Sequence, residues 1–354
     1  MHDVIIIGAG LSGLTTAFAL SKEGIDYKII EGRNRAGGRI NSLDGPLEMG
    51  ATWLGNQHTH LISLLKALDL EIFPQHTKGQ IAYEVSSVQP IQYFDFPPGQ
   101  APSYRIKGGS SKLIQALIDK LAPASILYNT EVSSINDQGK LVEVCLTNGQ
   151  VYTASKVVVT IPPQLLERSV LFTPPLSAEK VSNMAQTHTW MGESIKYGVT
   201  YSSPFWKAKG LSGMGFSQVG VVQEVHDHTD FDQKFFALKG FLNSALASKT
   251  FEERKSEVIK VLIRLFGPEA NEYLDYHEHV WSNDRLTSVL NPIPVVPHQN
   301  NGNPLLRENA FNGKLIFSGT ESSAEYPGYM DGAVYSGFDS AKKVLEQYQS
   351  SLES

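Results

Sequence analysis

Apolar residues open the chain in one unbroken run and then give way to glycines. Asp3 to Ile7 is a β-branched run typical of a short buried parallel strand. Leu14, Ala17 and Phe18 follow with helical spacing, and Tyr27 to Ile30 is a second apolar run. The pattern predicts a strand, a helix and a second strand at the start of the chain.

Later segments show either helical or alternating spacing of their apolar positions. Helices are predicted around 61–68, at 177–187, 251–266 and 331–348, and in a segment that Ser110 or Ser111 is expected to cap. Strands are predicted as a meander over 131–161, at 194–201, 213–225 and 235–242, and within 314–321. The stretch 79–104 is rich in proline and aromatic residues and is predicted to be irregular.

The glycines after the first strand are spaced for contact with a dinucleotide. Gly8, Gly10 and Gly13 form G-x-G-x-x-G, which provides a tight turn, room for a pyrophosphate and close packing of helix on strand. Glu31 follows the second strand, where an acid can bind a ribose hydroxyl pair and disfavours the 2′-phosphate of NADP. A glycine-rich turn in an ordinary βαβ unit is the alternative, but it leaves the position of Glu31 unexplained. The segment is therefore predicted to bind a dinucleotide.

The loop after the second strand carries three arginines around a pair of glycines. Arg33, Arg35 and Arg39 are suited to contact a pyrophosphate, and the backbone amides of Gly37 and Gly38 can approach an anion. Arginines in a solvated loop are the alternative, and this loop alone does not decide between the two.

Length, charge and cysteine content narrow the class of protein. The 354 residues suffice for two domains or for one domain with a large insertion. The formal net charge of −6 argues against nucleic acid or an anionic membrane as a partner. Cys145 is the only cysteine, which excludes an internal disulfide and a cysteine-rich metal site. No apolar stretch has membrane-spanning length, so the cytoplasm is the expected compartment.

Two histidine pairs have the alternating spacing of metal ligands on a strand. They are His226 with His228, and His277 with His279. A third convergent ligand cannot be identified near either pair, and polar strand faces often carry histidine. No metal site is predicted.

Seven segments together identify a family. GAGLSGL, EGRNRAGGR, EMGATW, RIKGGSSKL, VVVTIPP, IKYGVTYSSPFW and FSGTESSAEYPGYMDGAVYSG resemble the flavin-dependent amine oxidases, which include monoamine, polyamine and L-amino acid oxidases. The opening fingerprint is common to many flavoproteins, whereas the combination of Lys196, PFW and the C-terminal GTE and GYM segment is far more specific. The amine substrate is implied by this resemblance alone.

The resemblance implies an α/β fold with two domains. A discontinuous Rossmann-type FAD-binding domain, with a parallel sheet and a β-meander, would comprise 1–78, 105–170 and 281–354. An α+β substrate domain of reduced size would comprise 79–104 and 171–280.

The same resemblance assigns roles to individual residues. Lys196 would hold a water against the flavin N5 and assist reaction with oxygen, and Tyr329 would be one wall of an aromatic cage that steers a neutral amine. The residues implied to bind FAD are Gly8, Gly10, Leu11, Ser12, Gly13, Glu31, Gly32, Arg33, Gly38, Arg39, Val132 through its backbone, Trp281, Gly319, Thr320, Glu321 and Met330. Metal is not implied.

The implied reaction is oxidation of an amine to an imine, which hydrolyses to an aldehyde or keto product while O2 becomes H2O2. A small-molecule amine and O2 would be the partners, and a homodimer is compatible with the sequence. Two alternatives stay open. One is a related flavoprotein that oxidises carbon–carbon bonds, such as a desaturase or protoporphyrinogen-oxidase-like enzyme. The other is an FAD-binding protein without turnover.

Three departures from the family limit what can be carried over. Leu290 stands where monoamine oxidases carry their flavin-linking cysteine, which predicts non-covalent FAD. Asn291 stands where the second cage aromatic is expected, which predicts a half-cage or an amide that binds a more polar substrate. The long helical insert before RIKGG is missing. The cavity is therefore expected to be more open, to be closed by a partner subunit, or to be roofed by the aromatic residues of the short segment. These residues, which could equally be ordinary packing, are Tyr93, Phe94, Phe96 and Tyr104.

Overall fold

The computed structural model describes residues 2–43, 46–289 and 295–352. Within these ranges the strands are β1 (His2–Ile7), β2 (Tyr27–Ile30), β3 (Ser42–Leu43), β4 (Leu47–Glu48), β5 (Leu54–Gly55), β6 (Ile72–Pro74), β7 (Gln80–Glu84), β8 (Gln92–Phe94), β9 (Ser103–Ile106), β10 (Ile126–Leu127), β11 (Val132–Asp137), β12 (Val142–Leu146), β13 (Val151–Val159), β14 (Leu171–Thr173), β15 (Ile195–Tyr201), β16 (Leu211–Ser217), β17 (Val222–Asp227), β18 (Phe236–Leu242), β19 (Asp275–Val280) and β20 (Leu315–Phe317). The α-helices are α1 (Leu11–Lys22), α2 (Thr59–Ala67), α3 (Ser111–Ile118), α4 (Pro163–Ser169), α5 (Ala178–Ala185), α6 (Phe205–Ala208), α7 (Phe251–Phe266) and α8 (Met330–Leu352). None of these helices is long and apolar enough to cross a membrane.

The larger sheet has eight strands and holds the opening βαβ unit at its centre. Its order is β10-β2-β1-β13-β12-β11-β14, and β20 pairs in parallel with β13. β1 lies parallel to both β2 and β13, with Ile7 opposite Ile30 and Val159. β11, β12 and β13 form the predicted antiparallel meander. The carboxyl ends of β1, β2, β13 and β20 therefore meet at one edge of the sheet.

Both faces of β1 are buried, as its unbroken apolar run predicts. Val4 and Ile6 enter a core that includes residues of α1, α2, α3 and α8. Ile5 and Ile7 enter a second core with residues of the meander, α4 and α5. Helices on both faces of a largely parallel sheet confirm the predicted α/β class.

The second large sheet has seven strands in the order β19-β15-β18-β17-β16-β7-β8. Its pairings are antiparallel except that of β16 with β7. One face packs on α7, where Val258, Leu262 and Leu265 join Tyr197 and Trp206 in a core. This sheet with its helix is the expected smaller α+β unit.

An extended segment, residues 46–53, covers the other face of the seven-stranded sheet, and we call it the bridging segment. It runs over β15 at Gly198, where a Cβ atom would lie 2.6 Å from Cδ1 of Leu47. The lack of a side chain at Gly198 therefore lets the segment approach the sheet closely. Because the same segment borders the first unit, it joins the two parts of the fold.

Three local predictions were wrong. The stretch 79–104 is not irregular, because β7 and β8 form a hairpin that extends the seven-stranded sheet. The stretch 213–225 holds two strands, since the chain turns between β16 and β17 at Gly220, whose φ is +93°. Ser110 stands at the N-cap of α3, but its hydroxyl donates to Glu48 instead of capping the helix.

α7 matches its predicted range. Thr250 and Glu253 form a capping box at its start, and Gly267, with φ of +103°, ends it. The predicted division of the chain into two domains stays a prediction, although the two large sheets draw their strands from different parts of the sequence.

Candidate active site

A large open cavity lies at the carboxyl edge of β1, β2 and β13. It encloses about 1370 Å³, part of which is open solvent at its mouth. Its described walls are formed by Gly8, Gly10, Leu11, Ser12, Glu31, Arg33, Gly37, Gly38, Arg39, Ile40, Gly50, Ala51, Thr52, Trp53, Thr160, Ile161, Pro162, Trp190, Met191, Lys196, Phe241, Trp281, Leu286, Thr287, Thr320, Gly328, Tyr329, Met330 and Ala333.

The three glycines of the fingerprint have different surroundings. Gly8 has φ of +104°, which an L side chain rarely adopts. A Cβ atom on Gly13 would lie 2.0 Å from the carbonyl oxygen of Gly8, so Gly13 lets α1 pack on the turn. A Cβ atom on Gly10 would meet nothing within 4 Å, because Gly10 faces the open cavity. The cradle thus fits the pyrophosphate of FAD.

Glu31 is buried beside this turn and is fixed by backbone donors. Its carboxylate accepts hydrogen bonds from the amides of Ala9 at 2.7 Å and Arg33 at 2.8 Å. Its exposed fraction is only 4%, yet it lines the cavity. The acid is therefore held in place before any ribose binds.

The three arginines of the following loop have separate partners. Arg33 donates to both carboxylate oxygens of Asp284 at 3.0 Å. Arg39 makes two hydrogen bonds to Glu321, at 2.6 and 2.8 Å. Among the described residues, Arg35 donates only to backbone carbonyls of its own loop. Arg33 and Arg39 thus border the cavity as ion pairs, whereas Arg35 shapes the loop and does not line the cavity.

Lys196 is buried on β15 with its amine in the cavity wall. Nζ donates to the carbonyl oxygen of Gly50 at 2.6 Å and lies 5.0 Å from the ring centroid of Phe241. Burial lowers the pKa of Lys196 to about 8, although the charges of Glu48 and Glu224 oppose this effect. The amine therefore changes charge near neutral pH.

Aromatic rings surround Tyr329, whose side chain is 41% exposed. The ring of Trp190 is 6.2 Å from that of Tyr329 and stacks on His298 at 3.7 Å. His58 lies 5.6 Å from Tyr329 on another side. Sequence reasoning missed Trp190, because roles were carried over only at positions that match the family. The sequence feature that could have indicated it is an aromatic residue six positions before Lys196.

The predicted residues divide into two groups. Those that line the cavity are Gly8, Gly10, Leu11, Ser12, Glu31, Arg33, Gly38, Arg39, Lys196, Trp281, Thr320, Tyr329 and Met330. Those that do not are Gly13, Gly32, Val132, Gly319 and Glu321, of which Glu321 lies behind Arg39. Asn291 and Leu290 lie outside the described residues. The missed wall residues include Thr52, Trp53, Thr160, Trp190 and Phe241.

The four candidate roof aromatics do not line the cavity. Tyr93 and Phe94 lie on the edge strand β8, with 47% and 49% of their surface exposed. Tyr104 packs against the core around α1. Since these rings point elsewhere, the described residues leave the cavity open.

The first histidine pair, His226 and His228, contacts protein groups instead of a metal. His226 lies 4.9 Å from the ring of Trp53, and the ring nitrogens of His228 bond Arg105 and the Pro46 carbonyl. Among the described residues, no group of three or more potential ligands could hold a metal ion. Cys145 lies on β12 and does not line the cavity, which agrees with a flavin held without a covalent bond.

The two glycine environments predict different effects of adding one methyl group. In Gly13→Ala the new Cβ collides with backbone, so the flavin-free protein should lose about 1–3 kcal/mol of unfolding free energy. Gly10→Ala has room in the protein alone but fills the pyrophosphate cradle, so flavin affinity should fall at least about tenfold at unchanged flavin-free stability. Urea unfolding of flavin-free protein and titration with FAD measure the two quantities. Equal loss of stability in both variants would contradict the assignment.

The comparisons with known proteins agree with this geometry. The family model for flavin-containing amine oxidoreductases matches residues 11–102 and 86–345. A probable flavin-containing monoamine oxidase A of Dictyostelium discoideum is 23% identical, with 98% of both chains covered, and the alignment needs 454 positions against the 354 residues here. Putrescine oxidase of Kocuria rosea is 24% identical over 81% of this chain and 83% of that protein.

Solved structures show the same fold. Cyclohexylamine oxidase from Brevibacterium oxydans has a TM-score of 0.87 at 22% identity, with 98% of this chain and 99% of that chain covered. A putrescine oxidase bound to putrescine has a TM-score of 0.84 at 24% identity, with the same coverage. With the family match over most of its length, the chain belongs to the flavin-containing amine oxidoreductases and is an FAD-dependent amine oxidoreductase.

Proposed function

We propose that this enzyme oxidises a monoamine with an apolar substituent, with O2 as the electron acceptor. Bound FAD would supply the two-electron oxidation of the C–N bond, so that the amine becomes an imine, water converts the imine to an aldehyde or keto product, and O2 becomes H2O2. The observation that carries this proposal is the buried Lys196 amine in a cavity wall that also holds the rings of Trp53, Trp190, Phe241 and Tyr329.

The aromatic part of the cavity supports a neutral monoamine. Besides Lys196, the described residues that line the cavity include the rings of Trp53, Trp190, Phe241 and Tyr329, together with Gly50, Ala51, Thr52 and Met191. Among these residues no carboxylate is available for the second ammonium of a diamine. They also include no arginine that could bind the carboxylate of an amino acid. A charged Lys196 and the positive end of α8 at Met330 both repel an ammonium, so the amine should react in its neutral form.

Lys196 would place a positive charge where electrons pass to oxygen. Below its pKa of about 8 the amine is charged, and a fixed charge in a water-poor wall stabilises developing negative charge. Tyr329 and Trp190 would provide apolar ring faces for the substituent of the amine. We also infer from the sequence a cytoplasmic location and a possible homodimer.

A panel of amines tests the substrate class. Under anaerobic conditions an arylalkyl or cycloalkyl monoamine should bleach the visible flavin band, and polyamines and L-amino acids should act at least about tenfold more slowly. Admission of air should restore the colour with one H2O2 per flavin. Faster bleaching by a polyamine would overturn the monoamine assignment. A flavin that no amine bleaches would favour carbon–carbon oxidation or a protein without turnover.

The pKa of Lys196 predicts how reoxidation depends on pH. The rate at which air restores the flavin band should fall as pH rises through about 8, because the amine then loses its charge. Lys196→Met should be slower by about tenfold or more at neutral pH and should lack this inflection. Lys180→Met is a matched control. That lysine is also buried with a pKa of about 8, but it bonds Leu305 and Glu308 away from the cavity. Retention of the inflection in Lys196→Met would contradict the role.

A further inference from the structure

A second lysine is buried behind the cavity wall. Lys239 on β18 has no exposed surface, and its Nζ lies 4.8 Å from the ring centroid of Trp53. Lys239 pairs with Gly198 across the sheet, and Phe241, two residues on, pairs with Lys196. Since residues two apart on a strand share a face, both amines point to the bridging segment.

A chain of hydrogen bonds connects the two amines. Nζ of Lys239 donates to Oγ1 of Thr52. The Thr52 hydroxyl donates to the carbonyl oxygen of Gly50 at 3.1 Å, and Nζ of Lys196 donates to that same oxygen at 2.6 Å. The Gly50 carbonyl therefore serves two donors, and one of them is held by Lys239.

Lys239 fixes the direction in which the Thr52 hydroxyl donates. A hydroxyl has one hydrogen and two lone pairs, and it rotates to suit its partners. While Lys239 donates to the oxygen, the Thr52 hydrogen is turned to Gly50. The Thr52 hydrogen then competes with the Lys196 amine for the carbonyl oxygen of Gly50. Because that oxygen is shared with a neutral donor, it stabilises the charged form of Lys196 less than it would alone.

We propose that Lys239 is a positioning residue that, through Thr52 and the Gly50 carbonyl, weakens the hold of Lys196 on its proton. The inference deepens the proposed function and rests on it for the role of Lys196. Burial, with Lys196 nearby, keeps the pKa of Lys239 well below its usual value. The Thr52 hydrogen is directed to Gly50 as long as Lys239 donates to Oγ1 of Thr52.

Other charged groups also act on Lys196, and the test must leave them in place. Glu48 of the bridging segment and Glu224 of β17 act directly on Lys196. The other titratable groups on the elements around the two amines are His226 of β17, His279 of β19, Arg105 of β9 and Lys239 itself. Apart from Lys239 itself, a substitution at position 239 or 52 changes none of these side chains. Lys239→Met also removes an amine whose charge repels that of Lys196, so Thr52→Val, which leaves both lysines in place, assigns the change to the hydrogen-bond chain.

NMR of the flavin-loaded protein with ¹³Cε-labelled lysine can follow the titration of Lys196. The variants Lys196→Met and Lys239→Met assign the signals of the two lysines. In Lys239→Met the pKa of Lys196 should rise by about half a pH unit or more. Thr52→Val, which removes the competing donor and keeps Lys239, should raise it in the same direction. The double variant, Lys239→Met with Thr52→Val, should shift the Lys196 pKa little further than the larger of the two single shifts. Both substitutions act on the same hydrogen bond, that of Lys196 to the Gly50 carbonyl.

Lys180→Met is the matched control and should leave the titration of Lys196 unchanged. An unchanged Lys196 pKa in Lys239→Met or Thr52→Val would overturn the proposal, and so would fully additive shifts. If Lys239→Met fails to fold, the milder Thr52→Val alone decides. A packing role for Lys239 would change stability without moving this pKa. The NMR titration of Lys196 uses no amine substrate. The proposed role of Lys239 can therefore fail while the proposed amine oxidation holds, and amine oxidation can fail while the role of Lys239 holds.

Discussion

The burial of the bridging segment between the two units is the constraint on which the rest of the structure depends. An extended segment away from water must have its backbone carbonyls satisfied, at a cost of about 1–3 kcal/mol for each one left unpaired. Side chains supply three of these bonds: Lys196 of the seven-stranded sheet donates to Gly50, His228 just after β17 donates to Pro46, and Trp281 just after β19 donates to Met49. The bonds that satisfy the segment also set the distance between the units and hence the shape of the cavity.

The same constraint explains the buried charges beneath the cavity. Arg105 donates to Nδ1 of His228, which leaves Nε2 to carry the hydrogen that bonds Pro46. Burial and the nearby Arg105 keep the pKa of His228 well below its usual value, so the ring is neutral and holds this tautomer. Glu48 accepts two hydrogen bonds from Ser110, and burial still raises its pKa. Such groups add little net stability but penalise any other placement of the segment, because each would be left unpaired.

Sequence reasoning succeeded where local signals decide the structure. The glycine spacing and the two apolar runs predicted the opening βαβ unit, and the Thr250 cap with Gly267 bounded α7. It failed where a contact with a distant segment decides. The β7–β8 hairpin depends on pairing with β16, and Ser110 turns its hydroxyl to Glu48 rather than to its own helix. The same holds for the site. The motif EMGATW was recognised from the sequence, but no local pattern predicts that the Gly50 carbonyl accepts a hydrogen bond from a lysine 146 residues away.

The position of Lys196 within its sheet explains how the chain can lack the family's long insert and keep the site. β15 and β18 are interior strands, each paired on both sides. The β7–β8 hairpin, where the insert would lie, forms the opposite edge of the sheet. A change of length at that edge leaves the register of Lys196 with Phe241 and its bond to Gly50 intact, because both are fixed by neighbouring strands and by the bridging segment. Loss of the insert should therefore alter access to the cavity rather than the arrangement around the amine. The open mouth near Tyr329 is the expected place for selectivity to differ from that of longer relatives.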